Sequence, residues 1–281
     1  MAVAGSACLL AAGCSSSLPR SVTGAPVLHV VTALYPLAQA AALIGQGKAE
    51  VTDVVPAGAN PLLYQLTPAQ VSQVRSAGLA VGIGGGFQPS FSAAAGGAPA
   101  AALLPPAGGN PYLWLDPGTM GRTVTDLAEA MERADPAAAT LYRRNASSLQ
   151  AQISSLGIDF SSTLSTCPDT TLITPDPAFT TMSGSYGLKN VVVGAGAGPA
   201  QVADATAALT AGRTRAAVTE PWVDNSGVRA VAAAAHVPLR ELDTLAGAPA
   251  GGWPPGANYF ALMEQNLGTL SGILGCPSPN Q

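Results

Sequence analysis

Residues 137–165, AAATLYRRNASSLQAQISSLGIDFSSTLS, carry Tyr142, Leu149, Ile153, Leu156 and Phe160 at helical spacing. Asp135-Pro136 precedes the stretch, and an Asp before a Pro suits a helix start. A helix from Ala137 to Ser165 would be about 40 Å long at about 1.5 Å per residue. A single helix of that length between two other segments predicts a rigid connector. What lies on either side therefore decides the architecture.

N-terminal to it the chain alternates strand and helix. Val27–Ala33 is β-rich, and an Ala-rich helical run follows Pro36. Val51–Val55 reads as a second strand. Thr67-Pro68 opens a helix with a capping Thr, and Leu79–Ile83 reads as a third strand closed by Gly84-Gly85-Gly86. Residues 92–109 are low in complexity and read as an irregular loop; they hold no His, Asp or Glu. Asp116-Pro117 begins another helical region, with Leu127 and Met131 four apart. C-terminal to the long helix the alternation resumes. Strands are expected at Thr171–Thr174, Val191–Val193, Ala216–Thr219 and His236–Leu239. Helices are expected at Gln201–Ala211, Ser226–Ala235 and Asn258–Leu274, the last with the stripe Met263, Leu267, Leu270, Leu274. Such alternation predicts parallel sheets with helices on their faces. The predicted fold class is α/β: two α/β lobes with parallel sheets joined by one long connecting helix. Expected boundaries are 1–25 for a signal peptide, lipobox and tether, 26–135 for the N-terminal lobe, 136–165 for the connecting helix, and 166–281 for the C-terminal lobe.

The chain has 281 residues, enough for two lobes with their own cores. Only 10% of them are charged and the net charge is −4, with no basic cluster, which argues against a nucleic-acid partner. Leu10-Ala11-Ala12-Gly13-Cys14 ends a short apolar stretch and resembles a bacterial lipobox, in which the cysteine becomes the lipidated first mature residue. Membrane contact would then run through a lipid on Cys14, and Ser15-Ser16-Ser17 with Pro19–Pro26 would serve as the tether. Cys8 falls in the removed segment. Cys167 and Cys276 remain as an even pair in an oxidising compartment: a disulfide stapling the last helix to the second lobe, or two free thiols.

Four segments carry a family resemblance. Val31-Thr32 with Tyr35-Pro36-Leu37 is the first. Gly58-Ala59-Asn60-Pro61-Leu62-Leu63-Tyr64-Gln65-Leu66-Thr67-Pro68 is the second. Asn110-Pro111-Tyr112-Leu113-Trp114-Leu115-Asp116-Pro117 is the third. Asp176-Pro177-Ala178-Phe179 followed by Tyr186-Gly187-Leu188 is the fourth. Together with Thr219-Glu220-Pro221, Leu242-Asp243 and Tyr259–Leu267 they resemble, in order, the zinc- and manganese-binding lipoproteins of ABC transporters. The resemblance implies a bilobal fold with ligand held between the lobes, a membrane permease as partner, a monomeric chain outside the cytoplasm, and a divalent cation as transported ligand rather than resident cofactor. No enzymatic activity is implied.

The ligand positions depart from the family. Where it has His after the Asp-Pro of the first loop, this chain has Leu62. Where it has His after the Asn-Pro of the second, this chain has Tyr112. The third position, His or Glu in the family, is Asp176, and the fourth, Asp, is Asp243. His29 and His236 are the only histidines and match neither vacated position. Zinc favours N and S ligands in a closed tetrahedral set, which this chain does not supply. Three readings of the cleft follow. Asp176 and Asp243, helped by Glu220, would hold a hard cation such as Mn²⁺, Mg²⁺ or Ca²⁺ with water. Alternatively Tyr112, Trp114 and Trp222 would face a small organic or chelated-metal ligand. Or binding is lost, leaving a non-transporting surface or accessory lipoprotein. Asp176 also has a plain reading as the turn residue before Phe179, and Trp114 as core. Enzyme motifs are absent: Gly82-Ile83-Gly84-Gly85-Gly86 and Gly194-Ala195-Gly196-Ala197-Gly198 lack the Lys-Ser/Thr of a phosphate loop and read as strand-end turns.

Overall fold

A computed structural model describes residues 27–106 and 109–277. Cys14 and the rest of the expected signal and tether lie outside the described residues. In the first half β1 (Leu28–Thr32) leads to α1 (Tyr35–Gly45), β2 (Ala49–Asp53), α2 (Pro68–Ser76), β3 (Leu79–Ile83), α3 (Pro89–Ala95) and β4 (Ala101–Leu104). The strands form one parallel sheet in the order β2-β1-β3-β4. β3 is buried along its whole length, as a central parallel strand must be. Thr67 caps α2 as its sequence suggests: its hydroxyl accepts from the Gln70 N–H, and the Gln70 amide accepts the Thr67 N–H in return.

α4 (Pro117–Ala134) and α5 (Ala139–Leu164) follow, separated by a 3-10 turn at Pro136–Ala138. Asp116 caps α4, its Oδ1 accepting from the Thr119 N–H at 2.8 Å. α5 is the long helix of the opening stretch. Its buried face is Tyr142, Asn145, Ala146, Leu149, Ile153, Leu156, Phe160 and Leu164. It packs on α4 and α1 in the first half and on the final helix in the second. Near its N-terminus the Asn145 amide donates to the Ile44 carbonyl at the end of α1 (2.9 Å). Near its C-terminus Phe160 meets Tyr186, ring centres 5.5 Å apart. One helix therefore takes part in both lobes.

The second half contains β5 (Thr171–Thr174), α6 (Thr180–Ser185), β6 (Lys189–Val192), α7 (Pro199–Ala211), β7 (Ala217–Thr219), α8 (Ser226–Ala235), β8 (Leu239–Glu241) and α9 (Tyr259–Leu274). β5 pairs with β6 and β7 with β8, both in parallel, and β5 packs beside β7. Gly227 lies so close to the Val193 and Gly194 carbonyls that no Cβ fits there, which brings the start of α8 onto the end of β6. Met263, Leu267, Leu270 and Leu274 of α9 are buried as the stripe predicts. Two α/β lobes with parallel sheets and a long connecting helix are the architecture of the molecule. Among the described residues no helix is long and apolar enough to cross a membrane.

Several local expectations are corrected. Residues 92–109 are not wholly irregular. They contain the end of α3, which buries Phe91, Ala94 and Ala95, and β4, which pairs from Ala101 to Leu104 with Ala80 to Ile83. Alanine has no strong β preference, so only the pairing with β3 makes this segment a strand. His236 does not open a strand; it ends α8 in the left-handed conformation, and β8 begins at Leu239. Asp135 does not cap the next turn through its side chain, whose Oδ2 accepts the Tyr142 hydroxyl at 2.9 Å. β2 ends at Asp53 because its Oδ1 accepts the Val55 N–H and turns the chain.

Cys167 and Cys276 form a disulfide that closes a separation of 109 residues. It ties the segment after α5 to the end of α9. Replacing both cysteines by serine is expected to lower unfolding stability by about 2–4 kcal/mol in a urea titration. An unchanged midpoint would show that the bond does not constrain the unfolded chain.

Candidate functional site

Four loops meet where the lobes face each other, and each is built on the same local device. The Asn60 Oδ1 accepts the Leu62 N–H at 2.9 Å, and the Asn110 Oδ1 accepts the Tyr112 N–H at 2.9 Å. The Asp176 Oδ1 accepts the Ala178 N–H at 2.7 Å, and the Asp243 Oδ1 accepts the Leu245 N–H at 2.7 Å. Side chains that bond the backbone two residues on make tight turns. Here the four turns contain all four positions at which the resemblance expects ligands.

The turns are held from behind. Gln88 is buried, and its Nε2 donates to the Ala33 and Pro61 carbonyls at 2.9 and 3.0 Å, tying the first loop to the end of β1. The Trp114 Nε1 donates to the Thr244 carbonyl at 2.6 Å, and the Tyr259 hydroxyl donates to the Trp114 carbonyl at 2.7 Å. Trp114 is fully buried, which makes it core and not a ligand-facing ring. Asn266 holds the Asp243 peptide in both directions, at 2.9 and 2.7 Å. Asn225 does the same for Glu220, at 2.9 Å each way.

Within this frame Tyr112, Asp176 and Glu220 come together. Tyr112 is 6% exposed and packs edge-on against Phe87, centres 5.2 Å apart. Burial, the charges of Asp176 and Glu220, and a hydrogen bond to Asp176 hold its hydroxyl well above the ordinary phenol range, so it is a neutral donor. Glu220 is 2% exposed, and among the described residues neither carboxyl oxygen has a hydrogen-bond partner. Burial and then the adjacent Asp176 push its carboxyl up to about 10. Glu220 therefore keeps its proton at neutral pH. An ionised carboxylate sealed off with no donor would be far costlier than the neutral acid.

Asp243 stands apart from that cluster. Burial raises its carboxyl, the Leu245 N–H opposes the rise, and the charge that acts on it is Glu241. Leu62 is half-buried and apolar and offers no donor atom. Among the described residues no three His, Cys, Asp or Glu side chains are placed to hold a metal ion together. The residues present do not form a tetrahedral zinc set. His29 lies on β1, 3.2 Å from Glu50, and His236 ends α8, both away from the cleft.

Two large residues beside the site have left-handed backbones: Trp222 at φ 72° and Leu245 at φ 55°. Bulky side chains rarely adopt this conformation, and it clusters at functional sites. At Leu245 it follows the Asp243 turn. At Trp222 it accompanies a carbonyl that accepts the Asn60 amide at 3.0 Å.

The sequence profile of the family described as zinc-uptake complex component A, periplasmic, matches residues 30–272. The chain belongs to this family. Its members are metal-binding, solute-binding components of uptake systems. Among solved structures the chain resembles the metal-dependent lipoprotein YcdH from Bacillus subtilis, at 21% identity and a TM-score of 0.73, covering 88% of this chain and 99% of that one. It also resembles the Zn(II)-bound ZnuA-like domain of AdcA from Streptococcus pneumoniae, at 20% identity and a TM-score of 0.74, with the same coverage. The laminin-binding protein Lbp of Streptococcus pyogenes is 18% identical with a TM-score of 0.73, covering 89% and 100%. At these identities the likeness establishes the fold. No curated protein matches the chain.

The residues that build the cleft but carried no role in the sequence are asparagines: Asn60, Asn110, Asn225 and Asn266. The first two were marked only by the repeated Asn-Pro dipeptide, a turn signal.

The Glu220 proton makes stability depend on pH. From about pH 4.5 to about 10 the folded chain holds a proton that the unfolded chain has lost, so stability falls as pH rises through that window. Glu220→Gln, which keeps a neutral donor, is expected to flatten this part of the curve in denaturant titrations at stepped pH. A variant as pH-sensitive as the native chain would refute the raised Glu220 carboxyl.

Proposed function

We propose that this family member is the extracytoplasmic solute-binding lipoprotein of a metal-ion-type ABC importer, and that its metal site is degenerate. The observation that carries the reading is Tyr112. A buried phenol beside Asp176 and Glu220 occupies a position where the family resemblance expects an imidazole. With Leu62 at the other such position, two nitrogen ligands are replaced by groups unsuited to zinc. Asp176 and Asp243 are the carboxylates left for a cation, with Glu220 beside the first. Such a set suits a hard ion such as Mn²⁺, Mg²⁺ or Ca²⁺ completed by water. The partner would be a membrane permease, and the lobes would run over 26–135 and 166–281 with 136–165 as connector. The chain would act as a monomer, held at the cell membrane by a lipid on Cys14.

One observation favours a second reading, a surface or accessory lipoprotein that kept the fold and lost metal. Burial and then Asp176 raise the Glu220 carboxyl to about 10, so it stays neutral at ordinary pH and offers a cation no charge.

Calorimetry separates the two. If the site takes a cation, Mn²⁺ binding to the native chain gives saturable heat that Asp176→Ala reduces at least about tenfold in affinity. No heat and no thermal shift with any divalent ion would remove the importer reading and leave the accessory one. The anchor has its own test: intact-mass spectrometry of the membrane fraction is expected to show diacylglycerol on Cys14, and a mature N-terminus elsewhere without lipid would contradict it.

A further inference from the structure

We propose that Asn60 and Asn110 form a two-point clasp that holds the lobes closed without any ligand. Each side chain performs two tasks at once. Its Oδ1 makes the turn of its own loop, accepting the Leu62 or Tyr112 N–H. Its Nδ2 crosses to the opposite lobe. Asn60 donates to the Trp222 carbonyl at 3.0 Å. Asn110 donates to the Pro177 and Ala178 carbonyls at 3.2 and 3.1 Å. The amide orientation is settled by these partners, because a flipped amide would set NH₂ against N–H and oxygen against carbonyl oxygen.

The placement of the clasp gives it its consequence. Asn60 lies two residues before Leu62, and Asn110 two before Tyr112. On the opposite lobe Trp222 lies two residues after Glu220, and Pro177 and Ala178 directly follow Asp176. The two bridges thus flank the contact of Tyr112 with Asp176 and Glu220 on both sides. The Trp222 carbonyl is offered to Asn60 from a left-handed backbone, a conformation that persists only where surrounding contacts over-determine it. Asparagine is the residue this geometry needs. Aspartate would preserve the turn but supply no donor, and would set a carboxylate against a carbonyl.

A binding protein whose lobes close on their own contacts differs from one closed by its cargo. A ligand shifts such an equilibrium only by its differential affinity for the two states, and each bridge would favour the closed state whether or not a ligand is bound. The clasp is independent of whether the cleft takes a cation, since neither bridge involves a candidate ligand side chain.

The test is hydrogen exchange read by mass spectrometry on the full chain in chelator. The native protein is expected to protect both sides of the interface, residues 58–66 and 110–116 on one lobe and 176–180 and 220–225 on the other. Asn60→Asp/Asn110→Asp keeps both turns and removes both bridges. It is expected to speed exchange about tenfold in the opposing segments 176–180 and 220–225, leaving β1, β3 and β5 unchanged. Should the double variant not fold, each single variant is read on its own opposing segment: Asn60→Asp on 220–225 and Asn110→Asp on 176–180. Faster exchange confined to the mutated loops would overturn the clasp, because a purely local turn role does that. So would a native chain that is unprotected in chelator and becomes protected only when Mn²⁺ or Zn²⁺ is added.

Discussion

A carboxyl group removed from water needs either a counter-charge or a proton, and the cleft of this molecule is organised around that requirement. Glu220 and Asp176 are brought together by strand ends and turns that, among the described residues, give them no lysine or arginine partner. The raised Glu220 carboxyl, neutral at ordinary pH, resolves the conflict, and the neutral Tyr112 phenol lies beside both. The surrounding structure preserves this arrangement. Asn225 fixes the Glu220 backbone, Asn110 fixes the Tyr112 turn, and Phe87 and Trp114 exclude water from the ring. Loosening any of these supports would rehydrate the acids and remove the reason for Glu220 to stay protonated.

The scaffold and its chemistry have separate physical origins. The lobes depend on apolar burial: β3 along its length, the inward face of α5, the α9 stripe and the Trp114 cluster. None of these residues needs to know what lies in the cleft. The ligand positions sit on turns at the ends of strands, where a side chain can change without disturbing the core. On the proposed reading Leu62 and Tyr112 are such changes: the Asn-Pro turns stand while the groups that they present would no longer be metal ligands. Membership of a metal-uptake family and a degenerate site would then be compatible in one chain.

Much of this was legible before any coordinates. The long helix is readable because its apolar residues recur at helical spacing over about five turns, from Tyr142 to Phe160. β3 and β5 are readable because they are β-rich runs between breakers. The departure of positions 62 and 112 from the histidines that the resemblance implies is readable because histidines are rare in this chain and the Asn-Pro dipeptides mark the two loops. β4 was not legible: its sequence, AALL, has no strand periodicity and acquires its identity from pairing with β3. The Asp176–Glu220 contact was not legible either, because 44 residues separate the pair and only the packing of β5 beside β7 brings their C-terminal ends together. The asparagine bridges were hidden for a similar reason. A turn residue declares its local bond in sequence, but its second bond belongs to the other lobe.

The central claim is that the cleft lacks a zinc site. Its most direct test is elemental analysis of the chain after equilibrium dialysis against micromolar zinc and removal of the free ion. The account predicts zinc far below one atom per chain, unchanged by Asp176→Ala. One zinc retained per chain, and lost in that variant, would contradict it.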